Sequence, residues 1–343
     1  MRSMRSALAI ALPALALVTS ACGSGGAGAN AGGKGDAKAP RIAYLTYTTN
    51  DYTTVEVQGA TNVAKASGGS VQVFNANFDP QAQLKQCEDA ITSGRYDAIL
   101  VASVDNTAAI PCAKQAAAAK IPLATIETPV GPDPDALQPQ VEGVVAASVY
   151  SQKTNAEAQV ETVRRACAGI DPCKVIVEIA SPSDRFTNYA ANAVAQAGAN
   201  VELVAKLVGD YDPSVVAKAM PDVLTAHPDA NVFMSASDTD ALAALPAIKQ
   251  AGMLGKLRLL GNGGSRAGAA AIERGTMLAT VANYPLTTAE AVTRKLVQAL
   301  DGGKVAAPGF DSLLMRADGT LASSPLIVDK ADVATFAPQW GAE

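Results

Sequence analysis

The chain holds 343 residues with a net charge of −5, 49% hydrophobic residues and only 4% aromatics. That length exceeds one typical core and suits two domains of ordinary size. The mild acidity offers no basic face for neutralising phosphates, which excludes a nucleic-acid role, and apolar content dominated by Ala and Val suits helix-on-sheet packing rather than a membrane bundle.

Arg2 and Arg5 precede an apolar stretch from Ala7 to Val18. The stretch is shorter than the roughly 20 residues of a spanning helix. It fits a secretory h-region, so residues 1–21 read as a signal peptide. Thr19-Ser20-Ala21-Cys22 resembles a bacterial lipobox, which implies acylation of the Cys22 thiol after cleavage. Residues 22–40 are Gly-, Ala- and Ser-rich and read as a flexible tether between membrane and globular body. The expected location is extracytoplasmic, anchored to the cell membrane as a lipoprotein.

Of five cysteines, Cys22 aside, four remain: Cys87, Cys112, Cys167 and Cys173. An even number in an exported chain favours disulfides, with three pairings open. Cys167 and Cys173 flank a short turn, which points to a local bond and leaves Cys87 with Cys112.

Beyond Pro40, short apolar runs alternate with helical stretches. Arg41–Thr46, Val71–Ala76, Ala98–Ala102 and Ile121–Ile126 read as strands with helices between them, a doubly wound parallel sheet. Asp79-Pro80 is a helix start, since Asp caps free N–H groups and Pro fits the first turn. Val141–Ala147, Lys174–Ile179, Val201–Leu207, Val232–Ala236 and Leu257–Leu260 read as strands of a second lobe. Phe78-Asp79-Pro80 recurs as Tyr211-Asp212-Pro213, and Asp105 and Asp238 each follow 26 residues after the helix-opening Asp. Two related α/β lobes follow from that repetition.

His227 is the one histidine, which excludes His-based triads and multi-His metal sites. It sits at an expected solvent-facing helix end. No cofactor and no metal are expected. Gly261, Gly263 and Gly264 lack the Lys-Ser/Thr of a nucleotide P-loop. Trp340 reads as a packing residue.

Several motifs in order carry a family resemblance: Gly59-Ala60, Phe78-Asp79-Pro80 with Gln83, Tyr96-Asp97-Ala98-Ile99 and Lys120-Ile121-Pro122. Thr225-Ala226-His227-Pro228-Asp229, Gln250-Ala251-Gly252 and Thr280-Val281-Ala282 follow. From Arg41 to about Leu314 the chain resembles the ribose-type (type 1) periplasmic solute-binding proteins of sugar ABC importers. The resemblance implies two doubly wound parallel-sheet lobes joined by a three-strand hinge, with crossings expected near residues 141, 284 and 313. Residues 41–141 with 284–312 would form one lobe, and 142–283 with 313–343 the other. It implies a monomeric binding protein, not an enzyme, that closes on a small neutral polar ligand and hands it to an ABC permease. The alternative is a sensor that presents its ligand to a membrane receptor or histidine kinase.

The same resemblance places ligand-binding residues after strand ends. These are Asn50, Tyr52 and Thr53, then Glu127, then Arg185 and Phe186, then Tyr211, Ser237 with Asp238, Asn262, and Asn283. Thr53 stands where relatives carry an aromatic, Thr128 where they carry Arg, and Asn262-Gly263-Gly264 where they carry an aromatic, Asp and Gly. The site thereby loses a carboxylate and an arginine, which brings a smaller polyol or deoxy-sugar into competition with an aldopyranose.

Overall fold

Apolar runs of three to eight residues, separated by amphipathic helices, build two parallel sheets. The computed structural model describes residues 39–182 and 184–342, which belong to one compact unit. The signal peptide, Cys22 and nearly all of the tether lie outside the described residues. Along the first part run β1 (Arg41–Thr46), α1 (Asp51–Ala66), β2 (Ser70–Asn75), α2 (Pro80–Thr92), β3 (Ala98–Val101), α3 (Ile110–Ala118), β4 (Leu123–Glu127) and β5 (Val144–Val149). Then come α4 (Gln152–Ala166), β6 (Cys173–Ile179), α5 (Arg185–Val194), β7 (Val201–Val208), α6 (Pro213–Ala226) and β8 (Val232–Met234). They are followed by α7 (Asp238–Ala243), α8 (Leu245–Gln250), β9 (Arg258–Gly263), α9 (Arg266–Glu273) and β10 (Ala279–Ala282). The chain ends through α10 (Pro285–Leu300), β11 (Gly309–Asp311) and β12 (Leu326–Asp329).

The first sheet has the order β11-β5-β4-β3-β1-β2, the second β12-β10-β9-β8-β6-β7. Five neighbouring strands in each follow one pattern, which is the repetition seen in the letters. All pairings are parallel except β10 with β12. Parallel strands covered by helices on both faces require continuous apolar runs. β3 and β8 are buried at every position.

Asp79 and Asp212 cap their helices, accepting from Gln81 and Ala82 N–H and from Ser214 N–H, with Pro80 and Pro213 in the first turn. One face of the first sheet is covered by α1 and α10. They approach so closely at Gly59 that a Cβ there would lie 2.6 Å from the Leu286 carbonyl. Across the other face, Cys87 on α2 is bonded to Cys112 on α3, with Cα atoms 5.8 Å apart. The second bond joins Cys167 and Cys173 at the end of α4.

The first passage between sheets differs from expectation. β5 does not belong to the second lobe. It pairs in parallel with β4, and the chain leaves the first sheet only after Val149, not near residue 141. The reason lies in the Pro-rich stretch before it, which folds back on its own lobe instead of acting as a connector. Asn106 Nδ2 donates to the Gly131 carbonyl at 2.6 Å, and Gly131 N–H donates to the Asn106 carbonyl. The later passages run from β10 to α10 and from β11 to β12.

Candidate ligand cleft

Open α/β sheets present their strand ends to ligands, and here the carboxyl ends of both sheets carry the polar and aromatic side chains. Glu127 closes β4 with a left-handed backbone (φ 62°). Burial pushes its carboxyl up to about 7, opposed by a hydrogen bond with Tyr47. Behind it, Glu56 lies in the buried stripe of α1 and accepts from Tyr44 Oη at 3.0 Å, while its Oε1 has no partner. Burial, reinforced by the charge of Glu127, holds Glu56 well above the usual carboxylate range.

Tyr150, just past β5, is the centre of the arrangement. Its hydroxyl lies 3.2 Å from Asn155 Oδ1 and 3.3 Å from Asn262 Oδ1, so one proton serves two acceptors. Asn283, which follows β10, also hydrogen-bonds with it. Phe186 at the start of α5 meets the Tyr150 ring edge-on, with centroids 5.0 Å apart. Asn155 Nδ2 and Asn283 Oδ1 are buried with no partner. Buried polar groups are almost always hydrogen-bonded, and these two atoms retain the capacity for a further partner.

The sequence-derived candidates therefore separate into three sets. Tyr52, Glu127, Phe186, Asn262 and Asn283 converge around Tyr150; the charge of Glu127 and the hydroxyl of Tyr150 both act on Tyr52. Asn50 and Thr53 are engaged in a capping box at the start of α1: Asn50 Oδ1 accepts from Thr53 N–H and Thr53 Oγ1 accepts from Asn50 N–H, both at 2.9 Å. Helix-end donors need such partners, which is why these side chains turn inward to the backbone. Ser237 likewise caps α7, accepting from Asp240 N–H. Asp238 is fully buried inside the second lobe, accepting from Ser265 N–H and Thr280 Oγ1, each at 2.6 Å.

Arg185 stands exposed at the start of α5. Its charge reaches Asp105 of the other lobe, a carboxyl held below its ordinary range first by the Thr107 hydroxyl, then by backbone N–H groups, then by Arg185. Tyr211 follows β7 with φ 53° and is 44% exposed, matching Phe78 after β2 with φ 60°. Both are rim residues.

Sequence reasoning missed Tyr44, Tyr47, Glu56, Tyr150 and Asn155. A signal existed for Glu56: it falls in register with Thr53, Gly59, Ala60 and Val63 on the buried face of α1, where a carboxylate is out of place.

A periplasmic binding protein domain model matches residues 42–304. The chain belongs to the periplasmic binding protein family. The ribose import binding protein RbsB of Bacillus subtilis is 26% identical over 272 residues, covering 79% of this chain and 85% of the relative. A periplasmic solute-binding protein of Actinobacillus succinogenes, solved with D-allose, shares the fold with a TM-score of 0.73. It is 20% identical and covers 87% of this chain and 100% of its own. A solute-binding protein of Bacillus halodurans, solved with myo-inositol, superposes equally well (TM-score 0.73) at 18% identity, covering 88% of this chain and 98% of its own. Members of the family are extracytoplasmic binding proteins of ABC importers, so this is a binding protein and not an enzyme. The fold is the type I arrangement of two α/β lobes. Among the described residues no helix is long and apolar enough to cross a membrane.

Buried carboxyls in this periplasmic binding protein set its pH response. In the second lobe, Glu178 accepts from Ser235 Oγ and from Ala236 N–H. Burial, then the charge of Asp240, pushes it up to about 8. Its folded pKa exceeds the unfolded value, so its contribution to stability is complete below about 4.5 and is lost as pH rises toward 8. Glu127 acts the same way up to about 7. The depressed carboxyls, such as Asp212 and Asp318, act in the opposite sense and only in acid. Urea unfolding should therefore show greater stability at pH 5 than at pH 8. Glu178→Gln should flatten that difference by about 1–3 kcal/mol. An unchanged pH dependence in the variant would show that Glu178 is not the titrating group.

Proposed function

We propose that the protein captures a small, neutral, polyhydroxylated solute between its lobes and delivers it to an ABC permease. The supporting observation is the imbalance around Tyr150. One hydroxyl proton faces both Asn155 Oδ1 and Asn262 Oδ1, while one acceptor, Asn283 Oδ1, and one donor, Asn155 Nδ2, have no partner. A ligand hydroxyl both donates and accepts, so a sugar or polyol meets these acceptors and the unpartnered Asn155 Nδ2 together. The side chains named at the centre carry no positive charge, which disfavours an anionic ligand. The ribose import binding protein of Bacillus subtilis, a relative of this chain, takes a ligand of this class.

In this reading ligand binding draws the lobes together about the three crossings, a hinge closure, and the closed form engages the permease. Residues 41–149 with 284–312 form one moving body, and 151–282 with 313–342 the other. Acylated Cys22 holds the protein at the outer face of the cell membrane. The protein works as a monomer without a cofactor.

A thermal-shift screen with pentoses, hexoses, linear polyols and cyclitols should produce hits that saturate in calorimetry without chemical turnover. Small-angle X-ray scattering should show a smaller radius of gyration with a saturating hit. A verified ligand that leaves the scattering unchanged rules out hinge closure. Failure of every neutral polyhydroxy compound to bind rules out the substrate class.

A further inference from the structure

Trp340 is the one tryptophan of the chain, and the segment after β12 carries it to the carboxyl end of β9. Its indole N–H donates to the Gly263 carbonyl at 2.7 Å, the same carbonyl that accepts from Asn283 N–H at 3.1 Å. Its ring meets Tyr52 of α1 edge-on, with centroids 5.4 Å apart. The indole therefore touches one lobe through Gly263 and the other through Tyr52, and it shares the Gly263 carbonyl with the backbone of Asn283, whose side chain reaches Tyr150.

Gly263 makes this possible. A Cβ at that position would lie 2.4 Å from the indole Cζ2, and the backbone there has φ 115°. The place of a side chain at 263 is taken by a ring from a distant part of the chain. The tail is fastened to both lobes. Trp340 and Gly341 carbonyls accept from the Arg266 N–H and guanidinium, each at 3.0 Å. Gln339 receives the Thr287 N–H at 3.2 Å and donates to Thr287 Oγ1 at 2.7 Å. Among the described residues, Trp340 belongs to none of the apolar clusters that fill the two lobes, although it is only 6% exposed. A ring outside both cores, held between Gly263 of one lobe and Tyr52 of the other, suits contact with a ligand better than packing.

We propose that Trp340 is a ligand-contacting wall of the cleft. It offers an apolar face to the C–H side of a compact polyhydroxy ring, and it limits ligand size where residue 263 has no side chain. The proposal rests on the solute-binding reading above. It assigns selectivity to the C-terminal tail, which reports on both lobes at once.

Because the chain has a single tryptophan, its emission is a local probe. Wild-type protein and the variants Trp340→Phe and Trp340→Ala are titrated with the same panel of pentoses, hexoses, polyols and cyclitols, by calorimetry and by tryptophan emission with acrylamide quenching. A calorimetric ligand should shift the emission and reduce quenching with the same midpoint. Trp340→Ala should weaken that ligand about tenfold or more while Trp340→Phe stays within roughly threefold. Trp340→Ala should also narrow the gap between compact and bulkier ligands. A calorimetric ligand that leaves emission and quenching unchanged overturns the proposal and leaves solute binding intact. So does an Ala variant that binds with wild-type affinity and selectivity. If the Ala variant does not fold, the Phe variant's selectivity and wild-type quenching decide the matter. If no compound binds wild-type protein in calorimetry, the solute-binding reading falls, and the wall with it.

Discussion

Asp238→Ala should destabilise the protein by about 2–5 kcal/mol, because it strands buried donors that nothing else can satisfy. The carboxylate has no exposed surface. It receives the Ser265 N–H at the start of α9 and the Thr280 hydroxyl on β10, each at 2.6 Å. One side chain thus ties α7 to β9's following turn and to the neighbouring strand. Burial raises its pKa to about 6 against those hydrogen bonds, so it is mostly ionised at neutral pH. Asp238→Asn keeps one acceptor but turns an amide N–H toward a donor, and an intermediate loss is expected. Urea denaturation followed by circular dichroism measures both. A wild-type midpoint for the Ala variant would show that the network contributes little. Ligand affinity, corrected for the unfolded fraction, should change little, since Asp238 lies inside its lobe.

Asn283→Ala should have the opposite profile. It should weaken the captured solute by about 1–3 kcal/mol, the range for a lost hydrogen bond that leaves a ligand group unpaired. The empty protein should lose little stability, because the substitution gives up the hydrogen bond with Tyr150 but also removes a buried Oδ1 with no internal partner, and the backbone N–H keeps the Gly263 carbonyl. Calorimetry and thermal unfolding separate the two effects. Equal affinity in the variant would remove Asn283 from the site.

Much of this architecture could be read before any coordinates. The strands of parallel sheets are continuous apolar runs, and the Asp-Pro starts of α2 and α6 cap their helices as their letters imply. What escaped was long-range. Val144–Val149 looks like any other strand, and nothing local says which sheet it joins. Its partner β4 is chosen by a loop that folds back through Asn106 and Gly131. β11 and β12 are three and four residues long, too short for a periodicity to show.

The site was readable in the same uneven way. The resemblance put Glu127, Asn262 and Asn283 at strand ends, and the structure brings them around Tyr150 because the carboxyl ends of β4, β9 and β10 meet there. The same resemblance also picked Asn50, Thr53 and Ser237, where a helix start competes for the side chain and wins. Tyr150 was hidden by the misplaced strand before it. Trp340 was hidden because its role depends on the absence of a side chain 77 residues earlier.

The cover that α10 lays over α1 and β5 has a consequence for biogenesis. α10 spans residues 285–300, so the part of this face over β3, β4 and β5 stays bare until that helix has been synthesised and has come back to it. A nascent chain that emerges N-terminus first cannot complete its leading lobe early. Apolar surface left open in this way delays compaction of the leading lobe until nearly the whole chain has been made.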